Sequence, residues 1–305
     1  MKKLEKYSSL QFFIFNFAVF IIDIPYNSSF FILMFSRESY TCRASVVWGL
    51  VYKFACICYR SLDRIFDIVY WPVISLMLWG FTSTFVSSTS SFSGVMEFFL
   101  GGAVLWSLFW RAQTDVGTFI LEDFWSRNIY NLFASPVTPL EIFCAIGLIG
   151  LLRCILSFFF LSVLAWGLYS YNIFHIGGLA ITAFTTVLLL FGWVIGIIIS
   201  ALIFRYGLRI QVLAWSVGFL IQPFSCVFYP LDSMPHWVQV IAVFLPTTHV
   251  FEGLRYAIAT GTLAIRPLVT AFLLTFVLLI AALLFFQYAL NQAKKRGLLT
   301  RFEMA

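Results

Sequence analysis

The chain has 305 residues, of which 62% are hydrophobic, 20% are aromatic and only 10% are charged, and its mean hydropathy is +0.97. Soluble globular domains carry about 25% charged residues, so the composition excludes a water-soluble fold, and it excludes a disordered chain and a coiled coil as well. The net charge of +6 indicates basic loops that face anionic lipid and not a nucleic-acid surface. The composition therefore predicts an all-α integral membrane protein.

The first 44 residues do not fit a simple membrane span. Leu10–Phe35 is apolar, but Asp23 and Pro25 interrupt it. A single crossing here would place one of two basic clusters, Lys2–Lys6 or Arg43–Arg64, outside the membrane. A re-entrant hairpin, an interfacial segment and translated sequence upstream of the true start all avoid that conflict, and the three alternatives stay open.

The next segment, Ser45–Asp67, mixes apolar and charged residues at helical spacing. Leu50 and Phe54 would lie on one face, and Lys53 and Arg64 on the other. This pattern predicts an amphipathic helix that lies in the inner membrane interface. An equally supported interpretation is that the segment only anchors the first span.

Uncharged runs of about 20 residues predict membrane-spanning helices, because the hydrocarbon core is about 30 Å thick. The second span has to continue past Arg111, so we expect that side chain to snorkel toward the headgroups. The third contains Arg153, for which snorkelling is favoured and a position facing a cavity is the alternative. Six spans are predicted: Phe66–Val86, a second from about Gly94, a third from Glu141, Ile176–Phe204, Ile210–Leu231 and Leu268–Leu290.

The distribution of Lys and Arg predicts the orientation of these spans. With both termini inside, only Arg255 and Arg266 fall on outer segments. The twelve inner cations are Arg43, Lys53, Arg60, Arg64, Arg111, Arg127, Arg205, Arg209, Lys294, Lys295, Arg296 and Arg301. We therefore expect a multi-pass protein of the plasma membrane, the inner membrane in a bacterium, with both termini in the cytoplasm.

Motifs for enzyme chemistry are missing from the sequence. It contains no G-x-x-x-x-G-K-[ST], G-x-S-x-G or H-E-x-x-H motif, so we expect no catalytic residue, no metal and no cofactor bound by this chain. His249 and Glu252 could share a helix face as part of an intramembrane enzyme site, but a local hydrogen bond from the histidine is favoured.

An ion-coupled secondary transporter is the main alternative function. Such carriers need ionisable groups near the middle of the membrane, whereas the predicted first, fourth and sixth spans have uncharged cores. Active transport would then require an energy source outside this chain.

The inner loop Leu121–Ile142 combines aromatic and charged residues. Glu122–Phe133 is amphipathic, Ser135 before Pro136 ends it, and Glu141 lies in the first turn of the next helix. The loop is interpreted either as a solvated interfacial elbow or as a docking helix for a cytoplasmic partner.

The outer segment Pro230–Pro267 is too long for a simple turn. Prolines divide it into Pro235–Leu245 and Thr247–Thr260, neither of which is long enough to cross the bilayer. We expect two short helices at the outer interface, with Thr247 or Thr248 as a helix cap and Trp237 as a headgroup-level anchor.

These two regions resemble the type-2 class of ABC transporter permeases. The signature elements are apolar-Phe-x-Pro, Pro-x-Trp-apolar-Gln, apolar-Pro-x-Thr and Arg, and they match the runs Gln222–Gln239 and Phe244–Arg255. The inner run Asn128–Val137 is similar to the loop before the third span of that family. The resemblance covers about Ser45–Arg301.

The resemblance implies six transmembrane helices, an N-terminal interfacial helix and short outer re-entrant helices between spans five and six. It places a permease domain at residues 45–305 after the extension 1–44. The implied contacts to the ATPase are Glu122, Asp123, Trp125, Arg127, Asn131 and Pro136. The implied residues of the outer re-entrant helices are Pro235, Trp237, Pro246, Glu252 and Arg255.

The resemblance also implies the partners and the activity. Two copies of a separate ABC ATPase subunit would bind ATP and Mg, and a second permease subunit, expected to be a second copy of this chain, would complete the channel within membrane lipid. The complex would export a hydrophobic, lipid-linked or glycan substrate, as in multidrug or polysaccharide efflux.

Overall fold

The computed structural model describes residues 43–89, 94–173 and 178–295. All the regular elements in these ranges are helices, which confirms the all-α prediction. The predicted extension 1–44 lies, except for residues 43 and 44, outside the described residues. The α-helices are α1 Ala44–Arg60, α2 Leu62–Thr89, α3 Val95–Trp125, α4 Ile129–Ala134, α5 Pro139–Tyr169, α6 Gly178–Tyr206, α7 Leu213–Ile221, α8 His236–Ala242, α9 Pro246–Thr260 and α10 Ile265–Lys295.

Five of the described helices are long and apolar enough to cross a membrane. They are Phe66–Thr89 within α2, α3, α5, α6 with its extension to Ile210, and α10. The short helices α8 and α9 meet at a bend of 99° and would make a sixth span if they were counted together. They form where the sequence predicts two short outer helices, and their re-entry into the membrane stays a prediction.

The predicted fifth span, Ile210–Leu231, is shorter in the structure. Helix α7 has nine residues, which corresponds to about 14 Å at 1.5 Å per residue. A 3₁₀ turn, Gln222–Phe224, follows it. Pro223 explains the change, because proline lacks the N–H that an α-helix would bond and its ring clashes with the preceding turn.

Helix α1 confirms the predicted amphipathic segment but not its full length. Val47, Leu50 and Phe54 form its buried face, which packs on α5. The backbone is extended at Ser61, so the predicted helix Ser45–Asp67 is divided there and its last residues belong to α2.

Helices α3 and α6 form the centre of the bundle, and small residues let them approach closely. Gly192 and Gly196 make a G-x-x-x-G pair on α6, a spacing that places two small residues on one face. A Cβ built on Gly196 would lie 2.5 Å from the Cβ of Val116 and 2.9 Å from the carbonyl oxygen of Gln113. Neither position has room for a side chain without moving the α3 backbone.

We expect Gly196→Val to destabilise the protein by about 1–3 kcal/mol, the usual cost of overpacking a close-packed core. The matched control is Gly167→Val on α5, where an added Cβ meets no atom within 4 Å. The measurement is the free energy of unfolding in detergent by denaturant titration. Equal losses in the two variants would show that the α3–α6 contact does not limit stability.

Candidate functional site

Four charged side chains from three helices meet inside the bundle. Arg111 Nη1 on α3 lies 2.5 Å from Asp67 Oδ2 on α2, and Arg153 Nη1 on α5 lies 2.5 Å from Asp115 Oδ1 on α3. Contacts of 3.9 Å link Arg111 to Asp115 and Arg153 to Asp67. The two carboxylates and two guanidinium groups balance in charge. We call Asp67, Arg111, Asp115 and Arg153 the buried ion cluster.

The ion cluster corrects the expectation that Arg111 and Arg153 snorkel to the headgroups. Their exposed fractions are only 2% and 3%, so both side chains end inside the protein. Burying such charges is costly unless they are paired, and here each arginine has a carboxylate partner. Sequence reasoning missed the cluster because its residues come from separate helices. The available signal was that each of α2, α3 and α5 carries an arginine as well as an acid.

The elbow that joins α3 to α5 comprises residues 122–141, which include the end of α3 and the start of α5. Two ion pairs fix its N-terminal end. Asp123, which is 1% exposed, pairs with Lys53 of α1. Glu122 Oε2 accepts a hydrogen bond of 2.9 Å from Arg64 Nη2 of α2. Both acids are therefore paired within the protein: Asp123 is buried, and the Glu122 side chain is 33% exposed.

The second end of the elbow is fixed by Arg43 and a capping box. Thr138 Oγ1 accepts a hydrogen bond from the backbone N–H of Glu141, and the Glu141 carboxylate accepts one from the N–H of Thr138. This confirms the position expected for Glu141 in the first helical turn. Arg43 Nε lies 3.1 Å from Glu141 Oε1, and Arg43 also donates to the carbonyl oxygen of Pro136. Its bond to the carboxylate raises the pKa of Arg43.

The remaining predicted coupling residues lie on the surface of the elbow. Trp125, Arg127, Asn131 and Pro136 are all exposed. Trp125 Nε1 donates a hydrogen bond of 3.1 Å to Gln211 Oε1, so its indole ring is partly held in place. Arg127 has a φ of 55°, an uncommon value for a residue with a side chain. The structure thus separates four surface residues from Glu122 and Asp123, which anchor the elbow.

On the outer segment, Glu252 and Arg255 of α9 hold the turn that follows the shortened fifth span. Arg255 Nη2 lies 2.8 Å from Glu252 Oε1, and the guanidinium donates to the carbonyl oxygens of Cys226 and Tyr229. Glu252 Oε1 accepts a hydrogen bond from the N–H of Leu231. The pair satisfies backbone groups where the helix is broken, as buried peptide groups require.

The start of α9 braces the same turn, and this corrects the expected role of its threonines. Leu245 is the N-cap residue and Pro246 is the first helical residue. Thr247 Oγ1 lies 3.0 Å from Ser225 Oγ, and Thr248 Oγ1 donates to the carbonyl oxygen of Phe224. Neither threonine caps the helix.

The other predicted outer residues lie at the start of α8. Pro235 is its N-cap, and Trp237 is 65% exposed, as a headgroup-level anchor would be.

We expect Arg255→Gln to lower the free energy of unfolding by about 1.5–3 kcal/mol, because hydrogen bonds to a charged group are lost at partly buried carbonyls. Arg266→Gln is the control, since the Arg266 side chain is exposed and makes no hydrogen bond or ion pair within the described ranges. The same detergent titration measures both. A loss of less than 0.5 kcal/mol for Arg255→Gln, roughly the value of an ordinary surface change, would contradict the bracing role.

His249 makes the local hydrogen bond that the sequence favours. Its Nε2 lies 2.9 Å from the carbonyl oxygen of Val243. Among the described residues, no group of three or more His, Cys, Asp and Glu side chains could hold a metal ion. His249 and Glu252 therefore do not belong to a metal site within that part of the chain.

Comparison with known families places these features in one matched region. A family model described as ABC-2 type transporter matches residues 54–259, which is more than half of the chain. The matched region contains the buried ion cluster, most of the elbow's anchoring residues and the Glu252–Arg255 pair. A search of curated proteins finds no match to this chain.

Proposed function

This chain belongs to the ABC-2 type transporter family and is the permease subunit of an ABC transporter, and from that premise we propose that it exports a substrate with energy from ATP hydrolysed on a separate subunit. ATP and Mg would be bound by two copies of that ATPase. A chain without a phosphate-binding loop needs such a partner, because the G-x-x-x-x-G-K-[ST] motif is the usual cradle for nucleotide phosphates.

The observation that carries this proposal is the anchored elbow. Its exposed residues Trp125 and Arg127 are of the types most enriched at interface hot spots. Two ion pairs, Lys53–Asp123 and Arg64–Glu122, join the elbow to α1 and α2. A partner that binds the exposed residues therefore acts on a rigid part of the bundle and not on a loose loop.

The proposed mechanism is a population shift transmitted through these pairs. Closure of the ATPase subunits around ATP favours one position of the elbow, and the ends of α1, α2, α3 and α5 follow because ion pairs and the backbone join them to it. The packed spans then convert a local displacement into a change at the permease interface, since packed helices move as units.

A second copy of this chain is the proposed partner within the membrane. Helix α2 buries few residues in its own bundle and exposes Tyr70, Trp71, Phe81 and Phe85. In water such a face would be covered, and in a membrane it contacts lipid or another span. A homodimer would enclose the export path between the two α2 faces.

The ion-coupled alternative has little support from the charged residues of the bundle. A coupling ion needs an accessible titratable or coordinating group. Asp115 is 1% exposed and lies next to the guanidinium groups of Arg111 and Arg153. The Asp67 side chain is 36% exposed but is bound to Arg111, so both carboxylates of the cluster are already paired with arginines that a transported ion would have to displace.

The test is site-specific photo-crosslinking in cells that co-express the chain with candidate ABC ATPase subunits from its own genome. A photoreactive amino acid at Asn131, on the exposed elbow, is expected to crosslink to the ATPase. The matched control is the same amino acid at Trp237, which is exposed on the predicted outer side. An adduct from position 237, or none from position 131, would contradict the proposal.

A further inference from the structure

Two arginines at the end of α6 differ from most other cations on the predicted inner side. Arg205 lies in the last turn of α6, and Arg209 lies in the 3₁₀ turn Gly207–Ile210 that follows. Within the described ranges, neither side chain makes a hydrogen bond or an ion pair. Five other cations on that side are each paired with a carboxylate: Arg43 with Glu141, Lys53 with Asp123, Arg64 with Glu122, Arg111 with Asp67 and Arg153 with Asp115.

The sequence around these two arginines contains no acid that could pair with them. No aspartate or glutamate occurs between Glu141 and Asp232. The Arg205 guanidinium lies 5.5 Å from the centre of the Tyr206 ring, and Arg209 is exposed. Two neighbouring cations without acids make a positive patch, which attracts an anion. We call Arg205, Tyr206 and Arg209 the basic turn.

An exposed apolar stripe on α7 begins just after the basic turn. Val212, Trp215 and Phe219 recur at the three- and four-residue spacing of one helix face, and they are 62%, 38% and 57% exposed. At 1.5 Å per residue the stripe is about 10 Å long. Tyr206 and Trp215 are of the residue types enriched at the level of the headgroups, so the stripe leads from the headgroups toward the hydrocarbon. We call these three residues the α7 stripe.

We propose that the basic turn and the α7 stripe together bind one anionic phospholipid on the predicted inner side of the membrane. The two arginines donate hydrogen bonds to the phosphate, as guanidinium groups do to such anions, and one acyl chain lies along the stripe. The lipid is a bound partner and not the transported substrate. The inference therefore does not depend on the proposed function.

The charge and the apolar surface favour an anionic lipid over two other occupants. A zwitterionic phospholipid would bring its own cationic group close to Arg205 and Arg209, at an electrostatic cost. The ATPase is the second alternative, because the site adjoins the elbow: the rings of Trp125 and Trp215 are stacked with their centres 6.2 Å apart. A cytoplasmic protein would reach the arginines but not Phe219 deeper in the membrane, whereas a phospholipid covers both.

The test is native mass spectrometry of the purified full-length permease in a nonionic detergent, without an ATPase. The probes are palmitoyl-oleoyl phosphatidylglycerol and palmitoyl-oleoyl phosphatidylcholine, which share their acyl chains and differ in headgroup charge. We expect phosphatidylglycerol to bind at least fivefold more tightly. Each cation near a membrane surface contributes about fivefold in affinity for anionic lipid. The double variant Arg205→Gln/Arg209→Gln is therefore expected to weaken phosphatidylglycerol binding at least tenfold and to leave phosphatidylcholine binding unchanged.

The matched control removes two cations elsewhere on the predicted inner side. Arg60 at the end of α1 and Lys295 at the end of α10 are both exposed, so Arg60→Gln/Lys295→Gln makes the same change in net charge. We expect this control to change phosphatidylglycerol binding less than twofold. If the Arg205→Gln/Arg209→Gln variant does not fold, Arg209→Gln alone decides, because Arg209 is exposed, with an expected loss of about threefold to fivefold.

Three results would overturn the inference. Equal affinity for the two lipids would show that headgroup charge does not select the ligand. Displacement of phosphatidylglycerol by an equal concentration of glycerol 3-phosphate would show a site for free anions. Phosphatidylglycerol binding by the Arg205/Arg209 variant that is no weaker than that of the control would place the lipid elsewhere, and loss of the ATPase from that variant on co-purification would then make the arginines a docking contact.

The lipid measurement and the crosslinking test fail independently. Because no ATPase is present in the lipid measurement, failure of the crosslinking test for the proposed function leaves it intact.

Discussion

Replacing Trp125 and Arg127 together by alanine is expected to weaken co-purification with the ATPase at least thirtyfold and to abolish ATP-driven transport. Truncating one hot-spot residue costs about 2 kcal/mol or more of binding energy, and 1.4 kcal/mol is a factor of about ten. Both side chains are exposed on the elbow, so their loss should remove contacts to the partner and leave the bundle folded. The measurement is the amount of ATPase retained on the tagged permease, together with transport in vesicles.

The matched control is the pair Trp237→Ala and Arg266→Ala. Trp237 and Arg266 are of the same residue types as Trp125 and Arg127 and are also exposed, but they lie on the predicted outer side. We expect this variant to keep its ATPase. If the Trp125/Arg127 variant retained both ATPase binding and transport, the elbow would not be part of the docking surface.

Replacing Arg153 by methionine is expected to lower the free energy of unfolding by about 3–5 kcal/mol, the cost of breaking a buried ion pair from one side. The change leaves Asp115, 1% exposed, with only the 3.9 Å contact to Arg111. The loss would be large compared with the marginal stability of most proteins. Denaturant titration in detergent measures it, with Arg60→Met as the control because Arg60 is exposed at the end of α1.

A double-mutant cycle with Asp115→Asn shows whether this loss belongs to the pair. We expect Arg153→Met combined with Asp115→Asn to be more stable than Arg153→Met alone, because the uncompensated buried charge is gone. If the two changes are additive, the residues do not interact in the way described. A loss below 1 kcal/mol for Arg153→Met would likewise place that side chain outside the buried ion cluster.

Sequence reasoning succeeded where the pattern is local. The apolar runs predict the long spans, and the position of Glu141 in the first turn of α5 follows from Pro139 two residues before it. The two short outer helices follow from prolines at their starts. In each case the physical cause lies within one turn or one continuous run of the chain.

Sequence reasoning failed where the partner is distant along the chain. Asp67 and Arg111 are 44 residues apart, and Arg153 and Asp115 are 38 apart, so hydropathy indicates that these charges are costly but not how they pair. Because the sequence does not reveal a carboxylate partner for Arg111 or Arg153, it predicted that both side chains snorkel. The roles of Glu122 and Asp123 as anchors also depend on α1 and α2, which no pattern in the elbow reveals.

The central claim is that this chain forms the transport path and that a separate ATPase subunit supplies the energy. Reconstitution of the permease in vesicles tests this claim most directly. Uptake of a labelled lipid-linked sugar or a hydrophobic dye into inside-out vesicles would be measured with the chain alone and with its ATPase. We predict uptake only when the ATPase, ATP and Mg are all present. Uptake by the chain alone under a proton or sodium gradient would contradict the account.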